Sequence, residues 1–204
     1  MQGSGPARGR QLAIGSGHLA WHSRGYHPHL DAAYVTQHIT FRLADSVPAS
    51  LINRWRAALH GDRAAEMHRR IAKYEDAGRG ACHLRRPEIA RLVQDALLRF
   101  DRKRYRLLDW CVMPNHVHVL IEQAAGVPLH KIVHSWKGYT SRQANAQLNR
   151  NGAFWMRDYF DRYVRSPEQF NAIRYYIQWN PVRAGLCDRP EHWPWSSAGW
   201  RAKR

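Results

Sequence analysis

Two extended segments lie almost end to end in the middle of the chain, and they constrain the fold more than any other feature. They are Tyr105–Met113 and Asn115–Glu122, with the turn at Pro114-Asn115. A third segment, YVTQHITFRL from Tyr34 to Leu43, alternates strictly. Tyr34, Thr36, His38 and Thr40 fall on one face, with Val35, Gln37, Ile39 and Phe41 on the other. Helical patterns stand between these strands. Residues 49–77 space Leu51, Ile52, Trp55, Ala58 and Leu59 for one buried face. Pro87 opens PEIARLVQDALLRFD, whose Ile89, Leu92, Val93, Ala96, Leu97 and Phe100 form an apolar stripe. Residues 127–147 form a further amphipathic stretch. Another helix begins at Ser166, with Ser as N-cap, Pro167 at its first position and Gln169 completing a capping box. Pro181 predicts that this helix ends by Asn180. Helices interleaved with strands on short loops predict an α+β fold with an antiparallel sheet.

Charge narrows the function. The 204 residues carry 32 Lys and Arg against 16 Asp and Glu, a net charge of +16. An arginine-rich cation set suits phosphate, and nine Trp with nine Tyr supply faces on which unpaired bases stack. The longest apolar run near the centre, Val117–Ile121 with its His118, is far too short to span a bilayer, and MQGSGPARGRQ has no apolar core of a secretory signal. A cytoplasmic, nucleoid-associated protein is the expectation. Cys82, Cys111 and Cys187 have no CxxC spacing, so neither a disulfide framework nor a zinc knuckle is expected. The expected organisation is a basic flexible arm over 1–30, one domain over 31–190 and a C-terminal tail over 191–204.

The sharpest local motif is Asn115-His116-Val117-His118-Val119-Leu120-Ile121. On a strand, His116 and His118 share a face about 7 Å apart at the backbone, close enough to converge on one divalent ion. The bland alternative is a pair of exposed strand histidines. In the helix from Ser166, Phe170, Ile173 and Ile177 define the buried side, and Tyr176 and Asn180 stack one turn apart on its flank. Tyr175 points about 100° away from Tyr176. A phenol is a weak nucleophile at neutral pH, and a divalent ion on a scissile phosphate lowers the demand on it. There is no phosphate-binding GxxxxGK[ST] loop, and no carboxylate general base accompanies the histidines, which argues against a metal hydrolase.

LDWCVMPNHVHVLIE, HKIVHSWKGYTSRQANAQLNRNGAFWMRDYFDRYVR, YYIQWNPVRAGL and PEHWPWSSA together resemble the REP-associated tyrosine transposases, within the single-tyrosine HUH class, over about Tyr26 to Ser197. The resemblance implies a ferredoxin-like or RRM-like antiparallel sheet with helices packed on one face. It implies Tyr176 as nucleophile and His116, His118 and Asn180 as ligands of Mg²⁺ or Mn²⁺. The implied substrates are single-stranded DNA hairpins of repetitive extragenic palindromes, cut to a 5′-phosphotyrosine and a free 3′-OH by a monomer or homodimer. Lys131, Lys137, Arg142, Arg157 and Arg162 are candidate DNA contacts. Trp155, Tyr159 and Phe160 read as core, and Trp193 and Trp195 as packing the C-terminal segment onto the domain. A replication-initiator or relaxase-type nickase and a catalytically silent hairpin-binding protein stay open as alternatives.

Overall fold

The computed structural model describes residues 20–23, 28–31, 34–58 and 63–203. Strands β1 (Ala20–Ser23) and β2 (Pro28–Asp31) pair antiparallel within the span expected to be an arm. The rest of that arm, residues 1–19 and 24–27, lies outside the described residues. Then follow β3 (Thr36–Arg42), α1 (Ala49–Ala58), α2 (Arg63–Asp76), α3 (Pro87–Leu98), β4 (Tyr105–Val112), β5 (His116–Gln123), α4 (Leu129–Gln147), β6 (Phe160–Tyr163), α5 (Pro167–Arg183) and α6 (Ser197–Ala202). The helix expected over 49–77 is thus two, α1 and α2.

The main sheet has the order β4-β5-β3-β6, with every neighbour antiparallel. Register sorts its side chains. Thr40 lies opposite His118, His38 opposite Leu120, and Cys111 opposite His118, so these residues share one face. Ile39, Phe41, Trp110, Val112, Val117, Val119 and Ile121 occupy the other. That second face is the main core. The stripe of α3 (Ile89, Val93, Leu97) and that of α4 (Ile132, Val133, Trp136) close over it, each buried aliphatic side chain contributing about 1.5–3 kcal/mol. The one-faced helical cover expected of the sheet is supplied by α3 and α4. Helix α5 crosses the first face instead, where Ile177 packs with Cys111, Met113 and Leu120. The polar side of the sheet and the tyrosine helix therefore meet.

Both ends of α5 are fixed locally. Ser166 Oγ accepts from the amide of Gln169, and Gln169 Oε1 accepts from the amide of Arg165. The helix does not end by Asn180 but runs to Arg183 with Pro181 inside it. Proline this close to a helix end forfeits one backbone bond only, and Asn180 and Pro181 are both held in place by burial. The stop is Gly185 at φ +67°, where the amides of Gly185 and Leu186 cap the carbonyls of Val182 and Pro181.

The C-terminal segment is folded onto the sheet edge through the two tryptophans expected to anchor it. The Val112 amide donates to Trp195 O, and the Trp193 indole donates to Val112 O. Beneath α6, the fully buried carboxylate of Asp109 accepts from Arg174 and Gln178 of α5 and from Ser197 and Arg201 of α6. No described helix is long and apolar enough to cross a membrane.

Candidate active site

β5 begins with the histidine pair, and the strand alternation turns both rings to the face crossed by α5. Their Nε2 atoms lie 3.0 Å apart. Each ring is held from behind. His116 Nδ1 meets Asn115 Oδ1 at 2.7 Å, and His118 Nδ1 meets Thr40 Oγ1 at 2.9 Å. The tautomer of His116 follows from its neighbour. Asn115 Nδ2 donates to the carbonyls of Glu75 and Arg79, so its Oδ1 is an acceptor and His116 Nδ1 carries the proton. The bare lone pair of His116 then sits on Nε2, facing His118. Burial, aided by the Arg42 charge, lowers the His116 pKa to about 3, so the ring is neutral at ordinary pH. Thr40 can donate or accept. It therefore accommodates a resting pair, with a proton between the two Nε2 atoms, or both lone pairs turned on one cation.

Two oxygens complete the cluster. Asp76, the last residue of α2, places Oδ1 3.6 Å from His116 Nε2, and its ligand atom lies within 4.8 Å of those of both histidines. Asn180 is buried, with its carboxamide nitrogen 3.3 Å from His118 Nε2. Among the described residues, Asp76 Oδ1 and Asn180 Oδ1 are buried acceptors without a hydrogen-bond donor. Two imidazole nitrogens and two undersatisfied oxygens in one place fit a divalent cation with mixed nitrogen and oxygen ligands. The sequence shows no obvious carboxylate general base with the histidines; the structure brings the Asp76 carboxylate beside them from a separate helix. Asn115 places it, since the same amide that orients His116 grips the end of α2. The adjacent Glu75 is buried too. Burial raises its pKa to about 7 even though Arg42 donates to it at 3.2 Å.

Tyr176 enters this cluster from α5. Its ring centroid lies 5.1 Å from that of His118 and 6.2 Å from that of His38, the latter a buried β3 residue absent from the sequence-based site. Burial first, and then the negative charges of Asp76 and Glu75, raise the Tyr176 phenol above its ordinary pKa. Tyr175 faces outward, 52% exposed. Of the two tyrosines, Tyr176 is the one beside the histidines.

The basic candidates separate. Arg162 is exposed on β6 opposite His38, on the sheet face of the site. Arg157 is exposed in the segment before β6. Lys131 and Arg142 are exposed on α4, across the sheet from Tyr176. Lys137 is not a surface cation: its ammonium donates to the carbonyls of Met156 and Arg157 at 2.7 and 2.8 Å. Burial lowers its pKa to about 8. Trp155 is buried against Phe41, as expected of a core residue.

A protein of Haemophilus influenzae named for the REP-associated tyrosine transposases is 26% identical over 97 residues, covering 43% of this chain and 55% of the relative. The chain thus matches little more than half the length of that relative. A solved structure of a REP-associated tyrosine transposase bound to a REP hairpin superposes with a TM-score of 0.52 at 15% identity, over 85% of this chain and 82% of the other, and shares the fold. The family model described as "Transposase IS200 like" matches residues 87–180, the span that holds His116, His118, Tyr176 and Asn180. Over that span the chain is similar to the IS200-like transposases.

Proposed function

We propose that the protein is a metal-dependent single-stranded DNA endonuclease and strand transferase that acts on palindromic hairpins through Tyr176. The observation that carries this reading is the convergence of a buried tyrosine with two histidine Nε2 atoms and two undersatisfied oxygens. The similarity of residues 87–180 to the IS200-like transposases and the hairpin bound to the structural relative support the choice of substrate.

His116, His118, Asn180 and Asp76 would hold the cation. A divalent ion there supplies Lewis-acid polarisation of the scissile phosphate and positive charge to offset Asp76 and Glu75 beside the phenol. Tyr176 Oη gives up its proton and attacks the phosphorus, the P–O3′ bond breaks, and the departing oxygen takes up a proton in exchange, leaving a free 3′-OH. The phosphotyrosine ester conserves the bond energy, so attack by another 3′-OH rejoins the strand and releases the phenol without ATP. Helix α5 carries both Tyr176 and Asn180, which keeps nucleophile and ligand in fixed relation. Thr40 and Asn115 hold the imidazoles in the required orientation.

The test is incubation of labelled single-stranded hairpins, drawn from the repeats of the host chromosome, with Mn²⁺ or Mg²⁺. Wild type is run beside Tyr176→Phe, Tyr175→Phe and an EDTA control. A covalent protein–DNA adduct that disappears in Tyr176→Phe and EDTA but persists in Tyr175→Phe is expected. Tight hairpin binding with no adduct in either metal would instead mark a silent binding protein.

A further inference from the structure

Helix α5 has a second aromatic flank that neither its packing nor the cleavage chemistry uses. Tyr175 is 52% exposed and belongs to neither hydrophobic core, and Trp179, one turn on, is likewise outside both. The helix is already anchored by Phe170, Ile173 and Ile177 on its inner side. The two outer rings stack on each other, with centroids 5.5 Å apart and planes 29° from parallel. Arg183 ends the row. Its guanidinium carbon lies 5.6 Å from the Tyr175 ring and 5.9 Å from the Tyr176 ring. One exposed cation therefore spans the candidate nucleophile and the outer ledge.

We propose that Tyr175, Trp179 and Arg183 form a stacking site for an unpaired nucleobase flanking the phosphate attacked by Tyr176. The proposal rests on the single-stranded DNA reading above and assigns a specific subsite to it. Stacking requires a flat, exposed and pre-oriented ring, and the contact with Trp179 holds Tyr175 in place before DNA arrives, which lowers the ordering cost of binding. Arg183, beside both rings, suits the phosphate that joins the stacked base to the reacting one. Because every base has a π-face, such a site binds without strong sequence preference. It fixes the strand near the scissile bond and leaves the choice of sequence to other contacts.

Fluorescence anisotropy in EDTA, where no cleavage occurs, tests the site. The probes are a labelled oligo(dT) strand and an abasic strand of equal length, each titrated with the full chain at fixed salt. Tyr175→Ala is expected to weaken oligo(dT) binding roughly 5-fold or more, the loss of one base–aromatic stack, while leaving the abasic strand unchanged. Tyr175→Phe, which keeps the ring, is expected to bind as wild type does. Equal losses on both strands, or no loss on oligo(dT), would overturn the stacking site. If wild type binds and cleaves hairpins while Tyr175→Ala behaves identically, only this subsite fails. If wild type binds hairpins but neither strand, only this subsite fails; if it binds no hairpin either, the single-stranded DNA reading fails with it.

Discussion

Replacing Asp109 with alanine should loosen the tyrosine helix without touching the site. The carboxylate is fully buried and accepts from Arg174, Gln178, Ser197 and Arg201, so one side chain ties β4 to α5 and α6. Breaking a buried ion pair from one side costs about 3–5 kcal/mol. Here the stranded cations can partly rehydrate, because the side chains of Arg174 and Arg201 are 39% and 47% exposed. The Ser197 hydroxyl, fully buried, cannot. The expected loss is therefore near the lower end, about 3 kcal/mol, or roughly 6–12 °C in Tm for a chain of this length. Asp109→Asn keeps one acceptor oxygen and should lose about half as much. Burial works to raise the Asp109 pKa, but the hydrogen bonds from Gln178, Ser197, Arg174 and Arg201 outweigh it and hold the carboxyl below 3.8. The stabilising charge is then fully present above the unfolded-state pKa and fades as pH falls through the lower folded-state value. The gap between wild type and Asp109→Asn should persist at neutral pH and close only below about pH 4. Thermal unfolding followed by circular dichroism reads both. An Asp109→Ala protein melting within about 2 °C of wild type at neutral pH would refute the brace.

Two further outcomes follow from the site. Thr40→Val and Asn115→Ala remove the groups behind the two imidazoles, and each should weaken Mn²⁺ binding about 10- to 100-fold by titration calorimetry; Asn115→Ala should do so more, because it also releases the end of α2 that carries Asp76. Lys137→Met should cost about 1.5–3 kcal/mol in unfolding free energy yet leave the salt dependence of DNA binding unchanged, whereas Arg162→Ala should flatten that slope by about 0.7, the contribution of one single-strand phosphate contact.

What the sequence revealed and what it withheld divide along one physical line. Whatever depends on the period of a single element was legible. Alternation along β5 puts His116 and His118 on one face, and the same rule on β3 aligns Thr40 and His38, although only the pairing register brings Thr40 to His118. The spacing of α5 puts Tyr176 and Asn180 on one flank and turns Tyr175 away. Asp76 has no such signature. It lies at the end of a helix whose apolar pattern says nothing about where that end is docked, and its place is set by an asparagine 39 positions later in sequence. Lys137 is the converse case: a lysine on an amphipathic helix looks solvated in sequence, while its ammonium donates to the carbonyls of the loop folded over it.

Pro181 shows the same division within one residue. Read locally, a proline forbids helix before it, yet α5 continues to Arg183 because the burial of Asn180 and Pro181 and the Gly185 cap outweigh one lost backbone bond. Had the helix stopped at the proline, Asn180 would be a terminal residue free to leave helical geometry, and its carboxamide would have no fixed relation to Tyr176. Carrying the helix past Pro181 makes the ligand and the nucleophile parts of one rigid body. The local rule is broken where the proposed chemistry requires it.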